Sequence, residues 1–436
     1  MVRRRRVAPA ASGLLTLLAL GALVAAPASR AAGWSRPFRF YGPLPGDVVA
    51  PQLAVSPSGE AAVTFALQDE EQPWVSQAMV AVRSRSGSFT RLRVPSAKEV
   101  LDASFVGGSL ELLTGAGPGG QTCCSAVQAL SLQGAAVRSR QTLLAGLPGA
   151  TVGRVVTLPR RGILAALATD RAVWAGQWQL GSRARSMRRL SASSSWPQAL
   201  GAAGLAAGRD VVLWSGAGGM TEAASSVVVA TGTARRSPRR PRIVATVPQG
   251  HTVDDVAVAP SRGGATAAWI ESWVDPAGAY QSQVVAVDLT GALHPQTFQV
   301  PGEVVGGLTL AGDAGGDQVL TVRACDPLAA CSVLAFGRSA RGSFGQAQAL
   351  GGIDASQAPA AAISGRGAAV VGWIDQGQIF AVGRRFASAR FSAPRSMAGT
   401  SDAADLTLAF GSRGPAIAAW DQGTLAPSVV GASYTP

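Results

Sequence analysis

Few residue types in this chain could do chemistry, and their spacing narrows the options further. The 436 residues include two histidines, His251 and His294, four cysteines, one lysine, Lys98, and no asparagine. A Ser/His/Asp triad would have to use one of the two histidines. Both stand beside Pro, Gln or Gly in segments that read as solvated loops, and there is no GxSxG elbow. HExxH, Walker and EF-hand patterns are also absent. Gly115–Gly120 satisfies GxGxxG, but the following QTCCSAVQALSLQ reads as a strand. No phosphate-facing helix therefore opens there.

The cysteines form two close pairs. Cys325 and Cys331 bracket CDPLAAC, which predicts a disulfide closing a hairpin loop, with free thiols or a metal as the alternatives. Cys123 and Cys124 are adjacent and could form a vicinal disulfide that would stiffen a second loop, their redox state being left open by the sequence. Neither pair has the CxxC or His partners that zinc requires, so no metal site is assigned. No cofactor is expected either. Calcium held by acids and loop carbonyls at a channel mouth is compatible with the pattern.

The remaining candidates are acids and aromatics that follow an apolar run. Asp170, Glu271, Asp375 and Asp421 are the first suspects for carboxylate chemistry, because glycoside hydrolysis uses paired carboxyls. Trp74, Trp273 and Tyr280 lie beside such acids and suit contact with a carbohydrate or a peptide. Together these seven residues form the expected ligand-binding set, and none is assigned as catalytic.

What must position them is a repeat. Ala360–Gly377, AAAISGRGAAVVGWIDQG, returns as Leu406–Gly423, LTLAFGSRGPAIAAWDQG. The unit is keyed on a glycine and the residue six positions later: Gly59/Phe65, Gly107/Leu113, Gly162/Ala168, Gly208/Trp214, Gly263/Trp269, Gly316/Val322, Gly367/Trp373 and Gly414/Trp420. Spacings of about 46 to 55 residues are those of propeller blades. Each unit reads as four short strands bounded by Gly, Pro and Ser.

The expected fold is therefore an all-β propeller of four-stranded blades, eight of them, or seven if the weak second unit is miscounted. The last unit supplies only three strands. Trp34–Tyr41, which has no unit of its own, is expected to complete that blade and close the ring, removing an exposed edge. Trp214, Trp269, Trp373 and Trp420 sit at one place in their strands and are expected to pack between blades.

Topology then sorts the charges. Loops from strand two to three gather Asp69, Glu70, Glu71, Asp170, Glu222, Glu271, Asp275, Asp326, Asp375 and Asp421. Turns from strand one to two gather Arg160, Arg161, Arg209, Arg262, Arg366 and Arg413. One face is expected to be acidic and the other basic.

Residues 1–32 read as a secretory signal. Arg3–Arg6 precede the apolar stretch Gly13–Ala26, and small residues at Ala26–Ala28 or Ser29–Ala31 suit cleavage. About 14 apolar residues are too few to span a bilayer, for which roughly 20 are needed. The expected organisation is a signal peptide over 1–32 and one propeller domain over 33–436, secreted and without a membrane span. Losing Arg3–Arg6 and Arg30 lowers the net charge from +13 to +8, which remains compatible with an anionic envelope polymer on the basic face.

The repeat resembles secreted bacterial β-propeller proteins of sialidase-like or WD-repeat-like type over nearly all of residues 34–436. Sialidase-like chains carry Asp boxes in their strand three to four turns. Here SRSGSFTRL and SARGSFGQA keep Ser, Gly and Phe but lack Asp and Trp, so no catalytic residues carry over. The expected role is that of an exported binding or scaffold protein that takes a glycan, peptide or protein ligand through its acidic face, with no nucleic acid partner. The alternative is a carbohydrate-active hydrolase or lyase.

Overall fold

In the computed structural model, residues 33–436 are described except 70, 72–75, 117–123, 147–149, 184–186, 192–195, 218–225, 234–235, 301–303, 327–329, 388–389, 412–413 and 424–425. Seven sheets are four-stranded antiparallel meanders in chain order, and the eighth recruits its outer strands from the other end of the chain. The fold is an eight-bladed β-propeller, so the weak second unit is a true blade. First strands of neighbouring blades touch one another all the way round, including the eighth against the first.

The glycine-keyed unit explains each blade. Blade 1 runs Asp47–Val55, Ala61–Gln68, Ser76–Arg83 and Phe89–Arg93. Gly59 turns between its first two strands with a φ of 91°, a conformation that costs a β-carbon-bearing residue energy. The corresponding glycine is left-handed in every blade but the third. There Gly162 has already joined the second strand, and Arg160 and Arg161 take the left-handed angles in a short 3-10 turn.

The residue six positions on is always in the second strand and always buried, from Phe65 to Trp420. That strand lies mid-blade, so alternate side chains enter different inter-blade cores. Ala265, Ala267 and Trp269 pack with Leu213 and Val229 of blade 4, while Ala268 and Ile270 pack with Leu320 and Val322 of blade 6. Trp373 is accommodated by the blade 6 outer strand, where a β-carbon on Gly351 would lie 3.0 Å from its ring. The tryptophans are core residues, as their fixed position predicts.

Closure is as expected, with one refinement. The N-terminal segment pairs in two pieces with the last strand, Ser428–Thr435: Gly33–Trp34 against its end and Phe38–Tyr41 against its start. Pro37 falls in the unpaired gap, consistent with its missing N–H. Phe40 is fully buried with Val63, Phe65, Ile417 and Val429, which joins blades 8 and 1 in one core.

All the innermost strands except that of blade 7 carry β-bulges, and two of them place an aspartate across a blade boundary. Asp102 accepts from Val155 N at 2.6 Å, and Asp255 accepts from Leu308 N at 3.1 Å, each 53 residues further on. Burial raises the Asp102 pKa to about 6, opposed by Arg154 and by the two backbone donors.

Candidate functional site

Among the described residues, blade 5 builds the most elaborate rim feature. Its second and third strands, Gly264–Val274 and Tyr280–Asp288, form a long hairpin that pairs out to Val274 and Tyr280. The turn is set by Asp275, whose Oδ1 accepts from Ala277 N and Ala279 N at 2.9 Å, while Gly278 takes a left-handed φ of 84°. Glu271, Trp273 and Tyr280 therefore belong to strands, and the loop proper is Asp275–Ala279.

The two-residue period decides which of them meet. Glu271 and Trp273 share a sheet face with Gln281 and Gln283, whereas Val274 and Tyr280 project from the other. On the first face His251, from the segment entering blade 5, lies parallel to Trp273, with ring centres 4.7 Å apart and planes at 5°. His251 Nδ1 lies 2.5 Å from Glu271 Oε1, and Gln283 Nε2 donates to Glu271 Oε2 at 3.0 Å. Glu271 is 7% exposed, so its carboxylate is committed to these two partners. Engaging Nδ1 leaves Nε2 as the ring atom available to a ligand. On the opposite face Val274 and Tyr280 are 58% and 50% exposed, a small apolar surface at the hairpin tip.

The other expected residues are distributed. Asp170 is exposed at a tight turn of blade 3. Asp375 ends the second strand of blade 7, facing Gly352 of blade 6. Asp421 lies near the end of the second strand of blade 8. Burial, reinforced by Asp405 and Asp47, pushes its carboxyl up to about 6. The four suspect carboxyls thus stand on blades 3, 5, 7 and 8, and none is paired with another. Trp74 and Cys123 lie outside the described residues. Cys124 is buried, with its sulfur 3.4 Å from Glu99 Oε1. Cys325 and Cys331 form the predicted disulfide, which closes the blade 6 hairpin on the same rim. Among the described residues no group of three or more His, Cys, Asp or Glu is placed to hold a metal ion. No described helix is long and apolar enough to cross a membrane.

Gln283, Asp47 and Asp405 are not among the expected site residues, and the sequence marks His251 only as a solvated loop residue. For Gln283 the signal is the two-residue strand period, which puts it on the face of Glu271 and Trp273. His251 is not the solvated loop histidine that its neighbours suggested, because the preceding Pro248–Gly250 turn folds it back onto the hairpin: its N–H bonds to Pro248 O at 3.1 Å.

No protein-family model matches the chain, and no curated protein matches its sequence. Solved structures share the fold. The Dos1 propeller superposes with a TM-score of 0.54 at 12% identity, covering 91% of this chain and 95% of that one. A PL25 polysaccharide lyase, an ulvan lyase bound to -[GlcA(1-4)Rha3S]-, gives 0.51 at 8% identity, covering 90% and 95%. The BP39L lectin from Burkholderia pseudomallei gives 0.49 at 14% identity, covering 81% of this chain and all of that one.

Proposed function

We propose that this protein is an exported binding or scaffolding propeller without catalytic machinery, which recognises a glycan, peptide or protein through its acidic rim. Residues 1–32 are the export signal in this reading, and the propeller is released outside the cytoplasm. One observation carries it: a rigid, projecting blade 5 hairpin presents Trp273 stacked on His251, with exposed Tyr280 behind. Stacked rings with hydrogen-bonding edges suit ligands that have both an apolar face and polar groups, as sugars and peptides do. The scatter of the suspect carboxyls over four blades also supports binding, because glycoside hydrolysis needs two within about 5–10 Å.

A second reading, a hydrolase or lyase acting on extracellular carbohydrate, draws on the His251–Glu271 contact. A carboxylate holding a histidine by Nδ1 is the arrangement that orients a general base. Glu271 would then position His251 rather than act itself.

A glycan array probed with the purified protein, scoring both retained ligand and released sugar, separates the two. Retention without product is expected. Released product would overturn the binding reading, and neither signal would direct the search to a peptide or protein partner.

A further inference from the structure

The outer perimeter of the ring has a charge composition that folding does not require. Among the described residues it consists of the turn after the third strand plus the outer strand: 84–93, 134–145, 180–183, 187–191, 236–246, 289–300, 339–352, 385–387, 390–396 and, for blade 8, 33–41. None of these stretches contains an aspartate or glutamate, although the chain has 25 such residues. Arginine supplies the formal charge there. It is densest on two consecutive blades, where Arg183, Arg188 and Arg189 of blade 3 and Arg236, Arg240 and Arg242 of blade 4 are all exposed. Blade 2 extends the run with exposed Arg138 and Arg140. The two ion pairs found among the described residues, His251–Glu271 and Arg338–Asp288, involve none of these side chains.

Charged edge strands guard sheets against aggregation, but that role does not account for this pattern. Either sign of charge would serve it, yet only one occurs. The outer strands of blades 5 and 6, Gln296–Val300 and Gln348–Gly352, are equally exposed edges and carry no charge. The outer strand of blade 4, Arg236–Thr246, is already blunted by Pro238, Pro241 and three register shifts.

We propose that the outer edges of blades 3 and 4 bind an extended polyanionic polysaccharide, one bearing sulfate or carboxylate groups along its length. Guanidinium groups pair with such anions in a two-pronged geometry and accept them at many registers. Shape favours a flexible chain. The perimeter of a ring is convex, so a flat bilayer would meet few of these arginines at once, whereas a polymer can follow the curve. Single-stranded nucleic acid would want rings to stack on. Among the described residues the large apolar side chain exposed beside these arginines is Ile243, and Trp174 is covered by Arg189 at 5.9 Å. This surface is separate from the blade 5 rim.

Heparin, a sulfated polysaccharide, is the probe. The protein should bind it at 50 mM NaCl, with affinity falling about a hundredfold or more by 200 mM as counterions are released by five or six neutralised charges. The triples R183S/R188S/R189S and R236S/R240S/R242S should each weaken binding at least tenfold and flatten the salt dependence. R160N/R262S/R366S removes the same charge from the first-to-second strand turns and should change affinity less than twofold. W273A should bind heparin normally, which separates failure of this proposal from failure of the rim reading. Equal losses in the edge and turn triples, no binding at 50 mM, or tighter binding to duplex DNA or phosphatidylserine vesicles would each overturn it.

Discussion

The imidazole of His251 lies parallel to the indole of Trp273, 4.7 Å from centre to centre, and is held there by Glu271 at 2.5 Å. The stack depends on a buried carboxylate with two partners, because Gln283 occupies the second oxygen. Glu271→Leu removes the acceptor from both donors at once. It should cost about 1–3 kcal/mol in urea unfolding. It should also release the ring, visible as a loss of the His251–Trp273 ring-current shift by NMR. An unchanged His251 spectrum would show that the stack holds without the carboxylate.

Asp210 is fully buried in blade 4, and burial raises its pKa to about 7. Its folded form therefore keeps a proton that the unfolded chain loses near pH 4. Stability from this group is complete below that pH and is lost as pH rises through about 7. Asp102 and Asp421, each raised to about 6, act with the same sign. Asp210→Asn should flatten the fall in melting temperature between pH 4 and 8, as read by calorimetry. A parallel pH profile for the variant would refute the assignment.

Trp420 is fully buried between blades 7 and 8, packed with Ile374, Ile379 and Ala418. Trp420→Ala should cost about 3–5 kcal/mol. Because the ring is closed, the loss should appear as lower global stability in chemical denaturation. A cost below about 1 kcal/mol would mean that the core tolerates the cavity.

A chain beginning at residue 43 would lack the segment that pairs with Ser428–Thr435. It should expose that strand as an open edge and the Phe40 pocket as an apolar one. Light scattering should show aggregation, and a monodisperse, equally stable product would contradict the closure role.

Much of the fold could be read from residues that repeat with a fixed geometric duty. Gly59 and Phe65, one left-handed and one buried, mark the same two places in blade after blade, and Trp34–Tyr41 stood out by having no repeat of its own. Gly162 shows the limit: two left-handed arginines took over the turn, which a glycine count does not see. The site was harder to read. Trp273 and Tyr280 are close in sequence, yet strand alternation sends them to opposite faces. His251 is 20 residues from Glu271, and only the packing of an entry turn against the hairpin joins them. Asp421 looked like a free rim acid, but burial beside Asp405 and Asp47 makes it a carboxyl that titrates near pH 6.

Whether ligand is held at the blade 5 rim is decided by titrating the strongest array hit against the protein and its W273A variant. At least a tenfold loss of affinity, about 1.4 kcal/mol, is expected at unchanged melting temperature. Equal affinity for the two proteins would contradict binding at this rim and remove Trp273 from the binding surface.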